Sequence, residues 1–149
     1  MRIGFDTNVL VYAERLNDEA RFLVARAIVD RLEPEEGVVA SQSLGELYNV
    51  LTRKAGFDRH DAHAILLAWE SVLEVAYPAE DTFFAAASLA ADHDLQIWDA
   101  IILAVSEAAG CAILLSEDLQ DGFRWRGIQV VNPFASKPNS LLTDFLGRS

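Results

Sequence analysis

Five consecutive apolar residues, Cys111 to Leu115, constrain the fold more than any other stretch of the chain. A short, continuous apolar run that stops at a polar turn, here beginning at Ser116, is typical of a parallel strand covered on both faces. Parallel strands need long crossover connections, which are usually helices. We therefore expect strands to alternate with helices along the chain.

The remaining segments follow this alternation. Short apolar segments predict further strands at residues 3–5, 38–41, 74–77 and 128–133, the last of them halted by Pro133. Helical spacing of apolar residues predicts helices at residues 19–32, 43–54, 58–73, 81–91 and 99–110. The pattern predicts an α/β fold, a single domain over residues 1–135 with a central parallel sheet and helices on both faces. For the tail, residues 136–149, it allows either a short helix around residues 141–146 or a mobile segment.

Composition limits the class of function. The chain has 149 residues, 52% of them hydrophobic, which suits one compact soluble domain. A formal net charge of −11 argues against a broad basic face for nucleic acid, but not against an enzyme that meets phosphate through a bound cation. No apolar run approaches the roughly 20 residues of a membrane span. With a single cysteine, no intrachain disulfide can form, and we expect a cytoplasmic protein that does not contact a membrane.

Four carboxylates lie where predicted strands end or helices begin. Asp6 follows the first strand, Glu46 lies one helical turn past the second, Asp99 begins the helix before the fourth, and Asp118 follows the fourth. The carboxyl ends of parallel strands share one edge of the sheet, where ligands bind. We expect at least Asp6, Glu46 and Asp118 to converge there.

Converging carboxylates repel each other and need a compensating charge. Hard oxygen ligands without a Cys/His cluster favour Mg²⁺ or Mn²⁺ over zinc. A metal held in this way activates water and stabilises charge on a phosphoryl group. The chemistry that these residues predict is metal-assisted hydrolysis of a phosphodiester.

Structural roles would also explain two of the acids. Asp99 is suited to cap the helix that it begins, by accepting from unpaired backbone N–H groups. Ser43 and Glu46 match the capping box, in which each side chain satisfies the other's backbone N–H. Trp98 is expected to pack in the core, with stacking on a base as the alternative. Five basic residues either contact phosphates of a phosphodiester substrate at the rim of a groove or belong to a solvated surface: Arg53, Lys54, Arg59, Arg124 and Arg126.

Four segments together resemble the motifs of PIN-domain ribonucleases. They are residues 6–12 (DTNVLVY), Glu46 in its helix, residues 98–100 (WDA) and residues 116–122 (SEDLQDG). They occur in the family's order and spacing, and the resemblance extends from Met1 to about Pro133. Length and motif wording are most similar to VapC-type toxins of toxin–antitoxin pairs.

This resemblance implies a ribonuclease that cuts single-stranded or looped RNA with Mg²⁺ or Mn²⁺. It also implies a homodimer and a cognate antitoxin that inhibits the toxin by occupying its groove. Carried over by position, the acids are Asp6, Glu46, Asp99 and Asp118, with Asn8 and Ser116 as polar support.

The resemblance also assigns expected roles to the acids. Asp6 and Asp99 are expected to hold the metal most directly. Glu46 would ligate it or orient the attacking water, and Asp118 would bind through water or complete a second metal site. Because Glu117 and Asp121 lie in the same turn as Asp118, the sequence leaves open whether either shares its role.

Two other classes of protein remain as alternatives. A PIN-fold module that binds RNA or protein without catalysis would keep the fold and not the reaction. A receiver-like signalling domain also places acids at strand ends and binds Mg²⁺. However, Asp6 has no acidic neighbour, and no lysine lies between Lys54 and Lys137.

Overall fold

The computed structural model describes residues 1–148, which contain six strands and seven helices. The strands are β1 (Arg2–Phe5), β2 (Gly37–Ala40), β3 (Glu74–Ala76), β4 (Cys111–Leu115), β5 (Arg124–Trp125) and β6 (Ile128–Val131). The helices are α1 (Thr7–Ala13), α2 (Glu19–Arg31), α3 (Ser41–Arg53), α4 (Arg59–Glu70), α5 (Glu80–His93), α6 (Ile97–Ala108) and α7 (Ser140–Gly147).

All six strands form one sheet in the order β3-β2-β1-β4-β6-β5. Every neighbouring pair is parallel except β5 and β6, which form an antiparallel hairpin. The predicted α/β class with a central parallel sheet is confirmed, and the sheet carries one antiparallel strand, β5, at its edge. From β1 the chain adds β2 and then β3 on one side of the sheet. It then returns to place β4 on the other side of β1. The carboxyl ends of β1 and β4 therefore flank a topological switch point, where such sheets bind ligands.

Alternate residues of the central strands bury against the two faces of the sheet. Ile3 and Phe5 of β1 join a core cluster with α1, α2, α3, α4 and α7, whereas Leu114 of β4 joins a second cluster with α5 and α6. A Cβ atom at Gly4 would lie 3.0 Å from the Ser106 hydroxyl oxygen, so this glycine lets α6 pack directly on β1. This packing fixes α6, and Asp99 in its first turn, relative to the sheet.

Two elements are absent from the sequence prediction. Helix α1 spans only seven residues, too few for a helical period to be distinguished from a buried strand. Strand β5 spans two residues and pairs across a tight turn with β6. The tail does form a helix, and Leu142 and Phe145 of α7 are buried in the first core cluster.

Helix α3 begins two residues earlier than predicted, at Ser41, with Ala40 as its N-cap. Ser43 therefore lies inside the helix, fully buried, and its hydroxyl has no hydrogen-bond partner among the described residues. The predicted capping box of Ser43 and Glu46 is wrong, because a helix that starts directly at the end of β2 moves Ser43 out of the capping position.

The predicted cap at Asp99 and the predicted burial of Trp98 are also wrong. The N-cap of α6 is Gln96, so Asp99 is the third helical residue and makes no capping hydrogen bond. Trp98 is 60% exposed, because the apolar face of α6 that meets the sheet begins beyond it. Among residues 1–148, the helices are all too short or too polar to cross a membrane.

Candidate functional site

Asp6 lies at the carboxyl end of β1 and is the N-cap of α1. Its backbone N–H donates to the Leu115 carbonyl at 2.9 Å and so joins the ends of β1 and β4. Its Oδ1 accepts from the Thr7 backbone N–H at 2.8 Å, and its Oδ2 accepts from the Ser116 hydroxyl at 2.7 Å. The side chain is thus held in one orientation, and the residue is only 4% exposed.

The surroundings of Asp6 oppose its negative charge. Burial is the largest cause, and the nearby Asp99 and Glu46 carboxylates add to it. The hydrogen bonds from Ser116 and Thr7 act in the opposite direction, and the net result raises the pKa of Asp6 to about 6. An ionised Asp6 at neutral pH is therefore an unfavourable charge that a cation would stabilise.

Asp99 and Glu46 approach this position from two other helices. Burial raises the pKa of Asp99, and the Glu46 and Asp118 carboxylates raise it further. Glu46 is exposed on α3, and its Oε2 accepts from the Thr7 hydroxyl at 2.6 Å. The four sequence-predicted acids therefore form one electrostatically coupled group, although their motifs are far apart in the sequence.

Asn8 connects the first and last acidic motifs. Its Nδ2 donates to Oδ2 of Asp118 at 3.1 Å and to Oδ2 of Asp6 at 3.4 Å. Its Oδ1 accepts from the backbone N–H of Glu117 at 3.1 Å. The Ser116 hydroxyl also accepts from the backbone N–H of Asp118 at 3.3 Å. Asn8 and Ser116 thus both contact acids of the site.

The other two acids of the last turn have different partners. The Glu117 carboxylate accepts from the Tyr12 hydroxyl at 2.9 Å and from Nε of Arg21 at 2.6 Å. The Asp121 carboxylate accepts from the backbone N–H of Asn132 at 2.9 Å. Both side chains are engaged in holding the turn, which leaves Asp118 as the acid of this turn that meets Asn8.

Sequence reasoning did not find Arg21 and Tyr12. Arg21 lies 96 residues before Glu117, and its guanidinium also packs 5.5 Å from the centre of the Tyr12 ring. No local motif links these residues, because the packing of α2 on α1 and α7 brings Arg21 to the turn. The sequence held one signal for Tyr12, which ends the first motif six residues beyond Asp6 and could have been expected near the other motifs.

The side-chain positions set a limit on the metal site. Within residues 1–148, no three His, Cys, Asp or Glu side chains are arranged to hold one metal ion. The coupled acids nevertheless provide only hard oxygen donors, the type that Mg²⁺ and Mn²⁺ prefer. A magnesium site commonly uses one or two carboxylates and keeps several waters, so a three-residue cage is not required. The donor set therefore fits a hydrated divalent cation.

The basic residues form two groups outside the acids. Arg53 and Arg59 line one pocket between α3 and α4. Arg124 and Arg126 lie on the β5–β6 hairpin, where the Arg126 guanidinium packs 4.6 Å from the Trp125 ring centre. Trp98, beside Asp99, presents an exposed indole ring.

Comparison with known proteins identifies the family of the chain. The family model of the PIN domain matches residues 3–124, which include all four acids. The chain belongs to the PIN domain family. No curated protein sequence is a significant match to this PIN domain.

Solved PIN-domain structures share the fold at low sequence identity. VapC20 from Mycobacterium tuberculosis, described as a sarcin-ricin loop cleaving toxin, superposes with a TM-score of 0.65 at 22% identity, covering 78% of this chain and 89% of that one. A toxin–antitoxin complex from Klebsiella pneumoniae gives 0.68 at 19% identity, covering 90% and 98%. VapBC2 from Rickettsia felis, bound to a promoter DNA fragment, gives 0.64 at 16% identity, covering 87% and 97%. These similarities establish a common fold.

Proposed function

We propose that the protein is a Mg²⁺- or Mn²⁺-dependent endoribonuclease that acts as the toxin of a toxin–antitoxin pair. The observation that carries this proposal is the electrostatic coupling of Asp6, Glu46, Asp99 and Asp118 at the switch point of the sheet. Gathering acids so closely that the pKa values of Asp6 and Asp99 rise does not stabilise a fold, and such raised pKa values are typical of functional sites. Membership of the PIN family supports the same reaction class.

Asp6 and Asp99 are the residues that we expect to hold the cation most directly. They are the two acids whose carboxylates are most opposed by their surroundings, so they gain most from a positive charge. A bound divalent cation would lower the pKa of a water ligand and stabilise negative charge on the phosphate. The other two acids, Glu46 and Asp118, are solvent-exposed and suited to act through water.

The neutral donors around the acids have a separate role in this proposal. Ser116 and the Thr7 backbone fix both oxygens of Asp6, while Asn8 holds Asp118 on the same side. They set the directions of the acidic oxygens before substrate arrives. Removing a residue that orients a metal ligand in this way commonly weakens metal affinity by tenfold or more.

Charge supports the proposed antitoxin partner. A chain of net charge −11 suits a protein that presents Arg or Lys side chains to the acidic site. Several structural neighbours were solved as complexes of toxin and antitoxin. Our proposal gives this chain the same kind of partner. It also includes a homodimeric assembly, a cytoplasmic location and RNA as the substrate.

A catalytically inactive PIN module is the second candidate function. It would keep the fold without needing the coupled acids, whereas all four are present here. The receiver-like alternative is set aside, because the family match covers residues 3–124.

The test is to incubate the purified chain with mixed cellular RNA in Mg²⁺, Mn²⁺ or EDTA and to map the cut ends. We expect discrete cleavage sites with either metal and intact RNA in EDTA. Intact RNA under all three conditions would favour the inactive module, and cleavage that persists in EDTA would remove the metal from the proposal.

A further inference from the structure

A pocket of about 540 Å³ lies at the turn between α3 and α4. Its size is in the range that accepts small organic groups. It is separate from the acidic site, and none of its residues contributes one of the four acids. It is lined by Tyr48, Asn49, Thr52, Arg53, Phe57, Asp58 and Arg59.

The turn around the pocket carries more positive than negative charge. Arg53, Lys54 and Arg59 are exposed, and within residues 1–148 none of them forms an ion pair. Asp58 is the one carboxylate in the pocket wall; its Oδ1 accepts from the His60 backbone N–H at 2.7 Å, and its charge offsets one of the two guanidinium charges there. Five other arginines pair with carboxylates, namely Arg2, Arg15, Arg21, Arg26 and Arg148, whereas Arg31, Arg124 and Arg126 do not in the described part of the chain. On a strongly acidic chain, this unpaired cationic turn is suited to an anion.

The other residues that line the pocket indicate which kind of anion it fits. The Tyr48 and Phe57 rings are half-buried, so each is anchored on the core and keeps an open surface. Asn49 presents an exposed amide, and the Thr52 hydroxyl donates to the Tyr48 carbonyl at 2.9 Å and keeps its lone pairs as acceptors. Guanidinium groups, aromatic rings and an amide together provide contacts for the phosphate, the face and the edge of an unpaired nucleotide. An acidic peptide would need the guanidinium groups but not the rings.

The position of the pocket links it to the acids. Glu46, Asn49 and Arg53 are all exposed and are spaced three and four residues apart, so they lie along one face of α3. At about 1.5 Å of rise per residue, Arg53 lies roughly 10 Å along the helix from Glu46. A single strand that passes Glu46 therefore needs to extend by only a short distance to reach the pocket.

We propose that this pocket binds one unpaired nucleotide of the RNA substrate, next to the bond that is cut, with Arg53 and Arg59 on its phosphate. The proposal rests on the ribonuclease function above and names the subsite that positions the RNA. Because two arginines and a stacking surface act on the same nucleotide, the subsite favours flexible single strands over duplex RNA.

Binding tests this without depending on turnover. The affinity of a labelled, unstructured RNA is measured by fluorescence anisotropy in EDTA over a series of KCl concentrations. Arg53→Gln/Arg59→Gln is compared with Arg15→Gln/Arg26→Gln, which removes the same charge from exposed ion pairs on another surface. We expect the first variant to bind about tenfold more weakly and its salt dependence to be shallower by about one unit of slope. The Arg53→Lys/Arg59→Lys variant should recover part of the affinity. Lysine keeps the positive charge but lacks the planar guanidinium group that donates two parallel hydrogen bonds to a phosphate.

The outcomes separate this subsite from the proposed reaction. If wild-type protein cleaves RNA while the two glutamine variants bind and cleave it equally, the subsite is overturned and the reaction stands. If no protein cleaves RNA but the affinity difference persists, the pocket stands as a nucleotide-binding site, while the reaction and the place of the pocket beside a cut bond are overturned. Unchanged RNA affinity with a lower sedimentation coefficient for Arg53→Gln/Arg59→Gln would assign the pocket to contact between two copies of the chain, and this too would overturn the subsite.

Discussion

The Ser116 hydroxyl donates to Oδ2 of Asp6 at 2.7 Å, although 110 residues separate the two in the sequence. This hydrogen bond connects the carboxyl ends of β4 and β1 at the switch point of the sheet. It fixes the most buried of the four acids and lowers its pKa against the effect of burial.

Ser116→Ala should weaken metal binding. Without the hydroxyl, Asp6 keeps its burial and loses the shortest of the hydrogen bonds that favour its charged form. We expect the Mn²⁺ concentration for half-maximal RNA cleavage to rise by about tenfold, as for other partners of metal ligands. Ser106→Ala is the matched control, since this buried serine donates to the Ile102 carbonyl and touches none of the acids. Equal metal titrations for the two variants would show that the Ser116 bond has no role in metal binding.

Asp6→Asn should stabilise the metal-free protein at neutral pH. The pKa of Asp6 rises from 3.8 to about 6 on folding, so the folded state holds the proton more tightly. Wild-type stability should therefore fall as the pH rises from about 4 to about 6, by about 3 kcal/mol for this group. In EDTA, thermal melts should show Asp6→Asn above wild type at pH 7, with the difference shrinking below pH 4. A variant that melts below wild type at both pH values would contradict this electrostatic account.

Asp99→Asn should abolish RNA cleavage while the circular-dichroism spectrum stays folded. The carboxylate makes no capping bond in α6, so its loss removes a proposed metal ligand and little helix stability. Asp94→Asn is the control, because Asp94 is an exposed left-handed C-cap of α5, a conformation that asparagine adopts readily. Cleavage by Asp99→Asn at the rate of Asp94→Asn would exclude Asp99 from the reaction.

Arg21→Met should impair the site from a distance. Arg21 holds the Glu117 carboxylate, and the Glu117 backbone N–H in turn donates to Asn8, which contacts Asp6 and Asp118. We expect a several-fold rise in the Mn²⁺ midpoint with a smaller effect on melting temperature, because Arg21 and Glu117 are only partly buried and solvent-accessible ion pairs contribute about 1 kcal/mol or less. Arg21→Lys should restore part of the loss. Arg15→Met, which breaks an exposed pair away from the site, should leave the midpoint unchanged.

Arg148→Met should loosen the tail and destabilise the fold near neutral pH. Arg148 donates to both carboxylate oxygens of Glu36 at 2.6 Å, which lowers the pKa of Glu36 to about 2. A lowered acid pKa stabilises the fold above about pH 4.5, and this is lost as the pH falls towards 2. The difference in melting temperature between wild type and variant should follow the same course. A difference independent of pH would indicate that Arg148 acts only through its packing on Phe145, 4.6 Å away.

The convergence of Asp6 and Asp118 could be predicted because it depends on local sequence. Both follow buried strands whose continuous apolar character is visible without a structure. Once the strands are parallel, their carboxyl ends meet at one edge whatever the details of the helices. Glu46 was expected there from its place one turn past β2, whereas the position of Asp99 also depends on how α6 packs on β1 at Gly4, which the sequence does not show.

The errors arise where one residue of helix register decides the outcome. A start at Ser41 instead of Ser43 converts a capping residue into a buried one, and a start at Ile97 places Trp98 outside the apolar face of α6. Sequence periodicity does not fix a helix end to within two residues. The link from Arg21 to Glu117 lay beyond prediction for another reason, since it depends on how α2 packs rather than on any spacing in the chain.

Thr7, Asn8 and Ser116 give uncharged donors to Asp6, Glu46 and Asp118, and this affects the order of events when the protein is made. Because three of the four acids have partners within the protein, we expect the chain to complete its fold in a medium poor in free divalent cations. On the proposed function, loading would then follow as a separate step, unlike in zinc fingers, whose folding waits for the metal. A freshly synthesised molecule would be structurally mature yet inert, and the supply of cation, rather than folding, would set when cleavage begins.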